Sequence, residues 1–195
     1  MICMAITGGI GSGKSYVSAL LEKKGIPVYN ADQESKKLTA SDAEIRRQLI
    51  ALLGEEVYAD GVLNKPLLAS YLFASDENAA RVNAIIHPCV KKDFKRWLAR
   101  HEEAEITAFE CAILYEAGFE DTVDAVLAVY APRDLRLERA MNRDKATRQQ
   151  IEARMDAQMD DEEKVRRAHY VLYNDGSLPL EEQLTSIIKQ LTKGK

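Results

Sequence analysis

The chain has 195 residues, 46% of them hydrophobic and 30% charged, with a formal net charge of −4. That length suits one compact α/β domain with a sizeable core, and the acidic balance excludes a general nucleic-acid binder, which needs an excess positive field. No stretch approaches the roughly 20 apolar residues of a membrane span, and no basic segment followed by a long apolar run opens the chain, so no membrane partner and a cytoplasmic location are expected.

Ile2-Cys3-Met4-Ala5-Ile6 is a short apolar run of the kind that makes a buried parallel strand. It leads into Gly8-Gly9-Ile10-Gly11-Ser12-Gly13-Lys14-Ser15, which fits the phosphate-binding pattern G-x-x-x-x-G-K-[ST]. Val17, Leu20 and Leu21 then recur at helical spacing, so strand, glycine turn and helix follow one another as the motif requires. Each residue type has a physical reason. Glycines permit positive φ and let successive N–H groups close around a phosphate. The helix starting near Gly13 adds N–H groups and the positive end of its dipole. Lys14 supplies a mobile charge for the outer phosphates, and the Ser15 hydroxyl can ligate magnesium. Gly9, Ile10, Gly11, Ser12, Gly13, Lys14 and Ser15 are therefore expected to hold a nucleoside triphosphate.

Lys23-Lys24-Gly25 reads as a helix stop, and Ile26-Pro27-Val28-Tyr29 as a second strand ending at Asn30-Ala31-Asp32. Strand ends of a doubly wound sheet face the ligand crevice, so Asp32 has two readings, a ligand-facing carboxylate or a plain helix cap. Residues 41–53 form a capped amphipathic helix, residues 58–63 a turn with a short extended piece, and a further helix starts near Pro66. Ser75-Asp76 caps another helix, which His87-Pro88 is expected to interrupt before Val90, Phe94, Trp97 and Leu98 continue its stripe. About 60 helical residues between two strands exceed a plain crossover and read as an inserted substrate-binding region.

Residues 105–114 hold the third strand and its turn, and Ala125 to Tyr130 make a fourth. The next helix carries Arg136, Arg139 and Arg143, which steps of three and four place on one face. That face is either a solvated basic surface or an arginine-bearing lid over a triphosphate. Residues 148–168 are strongly polar and suit exposed lid and return helices. Tyr170 to Tyr173 is a fifth strand, Asn174-Asp175-Gly176 a turn, and Leu180 to Leu191 a closing amphipathic helix. Cys3, Cys89 and Cys111 are odd in number and widely spaced, so free thiols in a reducing compartment are expected, and the three histidines lack zinc-ligand spacing.

Phosphate loop, strand-end aspartate, helical insert and arginine lid together describe a small P-loop kinase. From Ile6 to Gly176 the chain resembles the dephospho-coenzyme A kinase family. The resemblance rests on Thr7 to Ser15, Ala31-Asp32, Gly61-Val62-Leu63-Asn64-Lys65, Phe73, Ile86-His87-Pro88, Leu114-Tyr115-Glu116, Arg139, Arg143, Gln158 and Asn174-Asp175-Gly176. The family pattern differs at three places: Lys65 stands for a usual arginine, Ala112-Ile113 for Pro-Leu, and His169 for a common aspartate.

The resemblance implies a three-layer fold with a five-stranded parallel sheet, a helical acceptor-binding insert at about 60–103 and a lid at about 135–167. It implies transfer of the γ-phosphoryl group of ATP, with magnesium, to the ribose 3′-hydroxyl of dephospho-coenzyme A. It makes Asp32, Lys14, Arg139 and Arg143 catalytic, with Arg143 and Asn174 also on the ATP side, the Asn174 turn beside adenine. It puts Asp32, Lys65, His87 and Glu116 on the acceptor side. For His87 a structural role at the helix break stays open, and for Glu116 a turn-stabilising or water-mediated magnesium role. A monomer or weak homo-oligomer is expected. Competing readings are a nucleoside monophosphate or sugar-acid kinase, and a regulatory nucleotide switch, which lacks the N-K-x-D motif it would need here.

Overall fold

The computed structural model describes residues 1–193, which fall into two compact units, one of Met1–Tyr29 with the chain from His101 onward and one of Asn30–Arg100. In the first unit β1 (Ile2–Thr7) enters the glycine loop and α1 (Lys14–Lys23) leaves it. β2 (Val28–Asn30) follows.

The second unit begins there. It holds α2 (Ala31–Ser41), α3 (Ala43–Leu53), a hairpin of β3 (Tyr58–Ala59) and β4 (Val62–Leu63), α4 (Lys65–Leu72) and α5 (Asp76–Ala99). Each of these four α-helices starts on a side-chain cap, from Asn30, Asp42, Asn64 and Ser75 in turn, each accepting from a backbone N–H of the first turn. This helical unit runs from Asn30 to Arg100, and α2 and α3 belong to it because both pack against α5.

α5 corrects the reading of His87-Pro88 as an interruption. The helix runs unbroken for 24 residues with Pro88 inside it. Proline there removes one ladder donor and crowds the carbonyl four residues back, yet Val82, Ile86, Val90 and Phe94 recur every fourth residue and all are buried. Packing of that stripe holds together a helix that local propensity would break.

The chain returns through β5 (Ile106–Glu110), β6 (Ala125–Tyr130), α6 (Arg133–Asp144), α7 (Arg148–Asp156), α8 (Asp161–Arg167), β7 (Tyr170–Tyr173) and α9 (Leu180–Lys193). The expected five-stranded parallel sheet is present, in the order β2-β5-β1-β6-β7, with β1 parallel to both β5 and β6 and β6 parallel to β7. All six residues of β1 are buried because both faces are covered. Ile2, Met4 and Ile6 join Val17, Leu20 and Leu21 of α1 and Leu184, Ile187 and Leu191 of α9 in one core. On the other face Phe109 stacks on Tyr29 at 5.8 Å and packs against Phe119 at 5.3 Å.

Parallel pairing brings the C-terminal ends of the strands to one edge. Thr7 of β1 is paired with Ala128 of β6, and Ile6 with Glu110 of β5, so the loop after β1 is flanked by both neighbours. Cys3 and Cys111 are buried and Cys89 half-buried, all three free thiols, and burial pushes the Cys3 thiol up to about 11. Among the described residues no helix is long and apolar enough to cross a membrane.

Candidate active site

The glycine loop has the backbone its sequence demands. Gly11 and Gly13 lie at φ 80° and 101°, a region that side chains beyond glycine rarely enter. Gly13 caps α1 with no side-chain hydrogen bond, so the first-turn N–H groups of that helix are not claimed by a side-chain cap. The Lys14 ammonium lies across the loop, donating to the Gly8 carbonyl at 2.7 Å and to that of Gly9 at 3.1 Å. Backbone donors and a cation are thus gathered in one short arc, an arrangement that suits successive phosphates.

Ser15 points at a residue that sequence reasoning missed. Its hydroxyl donates to Glu110 Oε1 at 2.8 Å, and Ser18, one turn further along α1, donates to Oε2 at 2.8 Å. Glu110 ends β5 and is only 6% exposed. A carboxylate closing an otherwise uncharged strand was the available signal. Ser15 and Glu110 together offer hard oxygen ligands, one neutral and one anionic, and that donor set fits magnesium.

The three arginines expected on one face of α6 separate into three environments. Arg139 donates to the Asn174 carbonyl at 2.9 Å, and the Asn174 amide donates in turn to the Ser12 carbonyl at 2.7 Å. Asn174 therefore buttresses the loop itself, and a Cβ on Gly13 would overlap its amide. Arg143 is paired with Asp144 at 2.7 Å, and Arg154 of α7 reaches the same carboxylate at 2.7 Å. Those two guanidinium groups hold the Asp144 carboxyl well below the usual range. Arg136, the first of the three, is buried. Only Arg139 is joined to the loop through Asn174; Arg143 is engaged on the lid helices.

Glu116 accepts from the Met159 N–H at 2.8 Å and pairs with the fully buried Lys164 of α8 at 3.1 Å. Lys164 also donates to the Ala112 carbonyl at 2.8 Å. The turn after β5 is thereby fixed without the Pro-Leu of the family pattern: the Lys164 ammonium holds it, and Arg167 lies over the Tyr115 ring at 4.0 Å while pairing with Glu120. His169, which stands for an aspartate in the family pattern, accepts the Val126 N–H on its Nδ1 at 3.1 Å.

The remaining expected site residues belong to the second unit. Asp32 is exposed in the first turn of α2, and the cap there is Asn30, not Asp32. Lys65 opens α4. His87 is half-buried in α5, and burial, with the neighbouring Lys91 charge, holds its pKa below the ordinary histidine value.

A sequence model of the dephospho-CoA kinase family matches residues 2–179. A dephospho-CoA kinase from Bacteroides fragilis is 54% identical over 187 residues, covering 96% of this chain and 91% of that protein. The crystal structure of TT1252 from Thermus thermophilus is similar with a TM-score of 0.84 and 36% identity, covering 97% of each chain. A dephospho-CoA kinase from Campylobacter jejuni has the same fold, with a TM-score of 0.70 at 23% identity over 98% of each chain. With the family pattern running from the glycine loop to the Asn174 turn and a relative identical at more than half its positions, the chain belongs to the dephospho-CoA kinase family.

Proposed function

We propose that this kinase transfers the γ-phosphoryl group of ATP, bound with magnesium, to the ribose 3′-hydroxyl of dephospho-coenzyme A, giving coenzyme A and ADP. The observation that carries the donor half is the loop, with its glycine backbone, the Lys14 ammonium across it and the Ser15 hydroxyl on Glu110. Lys14 and the loop N–H groups hold the β- and γ-phosphates. Ser15 and Glu110 hold magnesium, which when bound neutralises charge on the phosphate oxygens of a loose phosphoryl-transfer transition state. Arg139 and Arg143 close on the triphosphate from the lid of α6 to α8, with Arg139 already seated beside the loop through Asn174.

The second unit supplies the acceptor side. Asp32, in the first turn of α2 where Asn30 is the cap, orients the 3′-hydroxyl and accepts its proton. Lys65 and His87 contact the acceptor, and His87 does so as the neutral imidazole that its surroundings favour. Glu116 acts by holding the β5 turn through Lys164.

Asp32→Asn tests the chemistry. The expected result is retained ATP binding with turnover lower by about 10²–10⁴, the usual scale of general-base help. Unchanged turnover at saturating substrates would remove Asp32 from the mechanism.

A further inference from the structure

Arg136, the first of the three arginines expected on one face of α6, does not face solvent. The Arg136 side chain is 7% exposed and pairs with Asp161, 11% exposed, at 2.5 Å. Its Nε donates to the Ala131 carbonyl at 2.9 Å, and one terminal nitrogen donates to the Ile10 carbonyl at 3.4 Å. A guanidinium taken out of water needs its fork of donors met. Here the start of α8, the end of β6 and the glycine loop meet it between them.

The loop rests on this pair. A Cβ on Gly9 would overlap both the Arg136 guanidinium and the Asp161 carboxylate, and one on Gly11 would overlap the Arg136 backbone carbonyl. Ile10 also packs against Leu137, Ala140, Ile151 and Met155 of the lid helices. Residues 9–11 are therefore seated on α6 and α8 by charge, hydrogen bond and apolar contact together.

We propose that the buried Arg136–Asp161 pair is a positioning element for the donor half of the reaction, fixing the peptide between Ile10 and Gly11. In a planar trans peptide the carbonyl and the following N–H point in opposite directions. With the Ile10 carbonyl drawn onto Arg136, the Gly11 N–H is turned away from the pair and presented as a phosphate donor. Glycine at this position would otherwise let the peptide rotate. Asp161 keeps the fork aimed and neutralises its charge, so Arg136 serves the loop rather than the nucleotide, in contrast to Arg139 and Arg143. The sequence places all three on one helical face and does not separate these roles. The inference rests on the reading that the loop holds the donor's phosphates.

Steady-state kinetics and thermal melts of Arg136→Lys, Asp161→Asn and Lys14→Ala test it. Lysine keeps a cation beside Asp161 but lacks the fork that reaches Ala131 and Ile10 at once. Arg136→Lys is expected to melt near the wild type and to raise KM for ATP about tenfold, the scale of one lost charge-assisted hydrogen bond. KM for dephospho-coenzyme A should stay within about twofold, since the change lies on the donor side. Asp161→Asn, which leaves the fork unaimed, should shift the ATP constant in the same direction, and it carries the test if Arg136→Lys does not fold. A lowered melting temperature with both KM values unchanged, or both raised equally, would make the pair scaffold only and overturn the proposal. Lys14→Ala separates this from the underlying reading. An unchanged KM for ATP there would overturn the donor loop itself, whereas a raised one beside normal Arg136→Lys kinetics would overturn the pair's role alone.

Discussion

At Glu110 one carboxylate accepts hydrogen bonds from two hydroxyls of α1, so the residue both aims Ser15 and brings a negative charge to the loop. Glu110→Gln keeps the size and one acceptor oxygen and removes the charge. The fold should survive, while the magnesium concentration needed for half-maximal rate rises about 10–100-fold, the usual effect of removing a carboxylate next to a metal ligand. A magnesium dependence identical to wild type would take Glu110 out of the metal site. Arg143→Ala is expected to lower kcat/KM for ATP by at least about 10²-fold, below the full effect of an arginine finger. An effect confined to the acceptor's KM would reverse its assignment.

His87 gives a pH dependence whose sign is fixed by its surroundings. Its folded pKa is depressed by burial and by Lys91, so the unfolded chain takes up the proton first as pH falls. Its contribution is therefore fully present above about pH 6.5, the unfolded value, and is lost as pH drops below that through the folded value. Denaturation of His87→Gln at pH 7.5, 6.5 and 5.5 should show a shallower loss of stability than wild type across that interval. An equal slope would mean that His87 is as accessible to protons as in the unfolded chain.

Among the elements, α5 stands furthest from local propensity. Pro88 costs it the hydrogen bond to the Ala84 carbonyl, and only the buried stripe of Val82, Ile86, Val90 and Phe94 keeps the helix continuous. Pro88→Ala restores the donor, so denaturant unfolding should show a gain of about 1–3 kcal/mol. A loss of stability would mean that the proline ring itself packs in a way alanine cannot replace.

The same helix shows what a linear reading misses. The strands were legible because their apolar runs mirror a sheet covered on both faces, and the glycine loop because its chemistry is local. The continuity of α5 was not, since it depends on packing with α2, α3 and α4. Glu110 meets Ser15 across 95 positions, and Arg136 meets Ile10 across 126. At such separations the sequence shows a glutamate at a strand end and an arginine on a helix, but not what either touches.

For the molecule as a whole, the net charge of −4 sits beside two strongly anionic substrates. Under the proposed function, affinity for them comes from local donors: the loop N–H groups and Lys14 for the donor, and Lys65 for the acceptor. The sheet unit carries the loop and the helical unit carries Asp32, Lys65 and His87, which the proposed function assigns to the donor and the acceptor respectively. Where the chain departs from the family pattern at Ala112, Ile113 and His169, Lys164 donates to the Ala112 carbonyl of the β5 turn and the His169 imidazole accepts from the Val126 N–H of β6.

The most direct test is ADP formation from magnesium-ATP with dephospho-coenzyme A, compared with nucleoside monophosphates, shikimate and gluconate as acceptors. The expected result is turnover with dephospho-coenzyme A alone, the product carrying one added phosphoryl group at the ribose 3′ position. Turnover with another of these acceptors and none with dephospho-coenzyme A would contradict the assignment while leaving the phosphate loop and its fold as described.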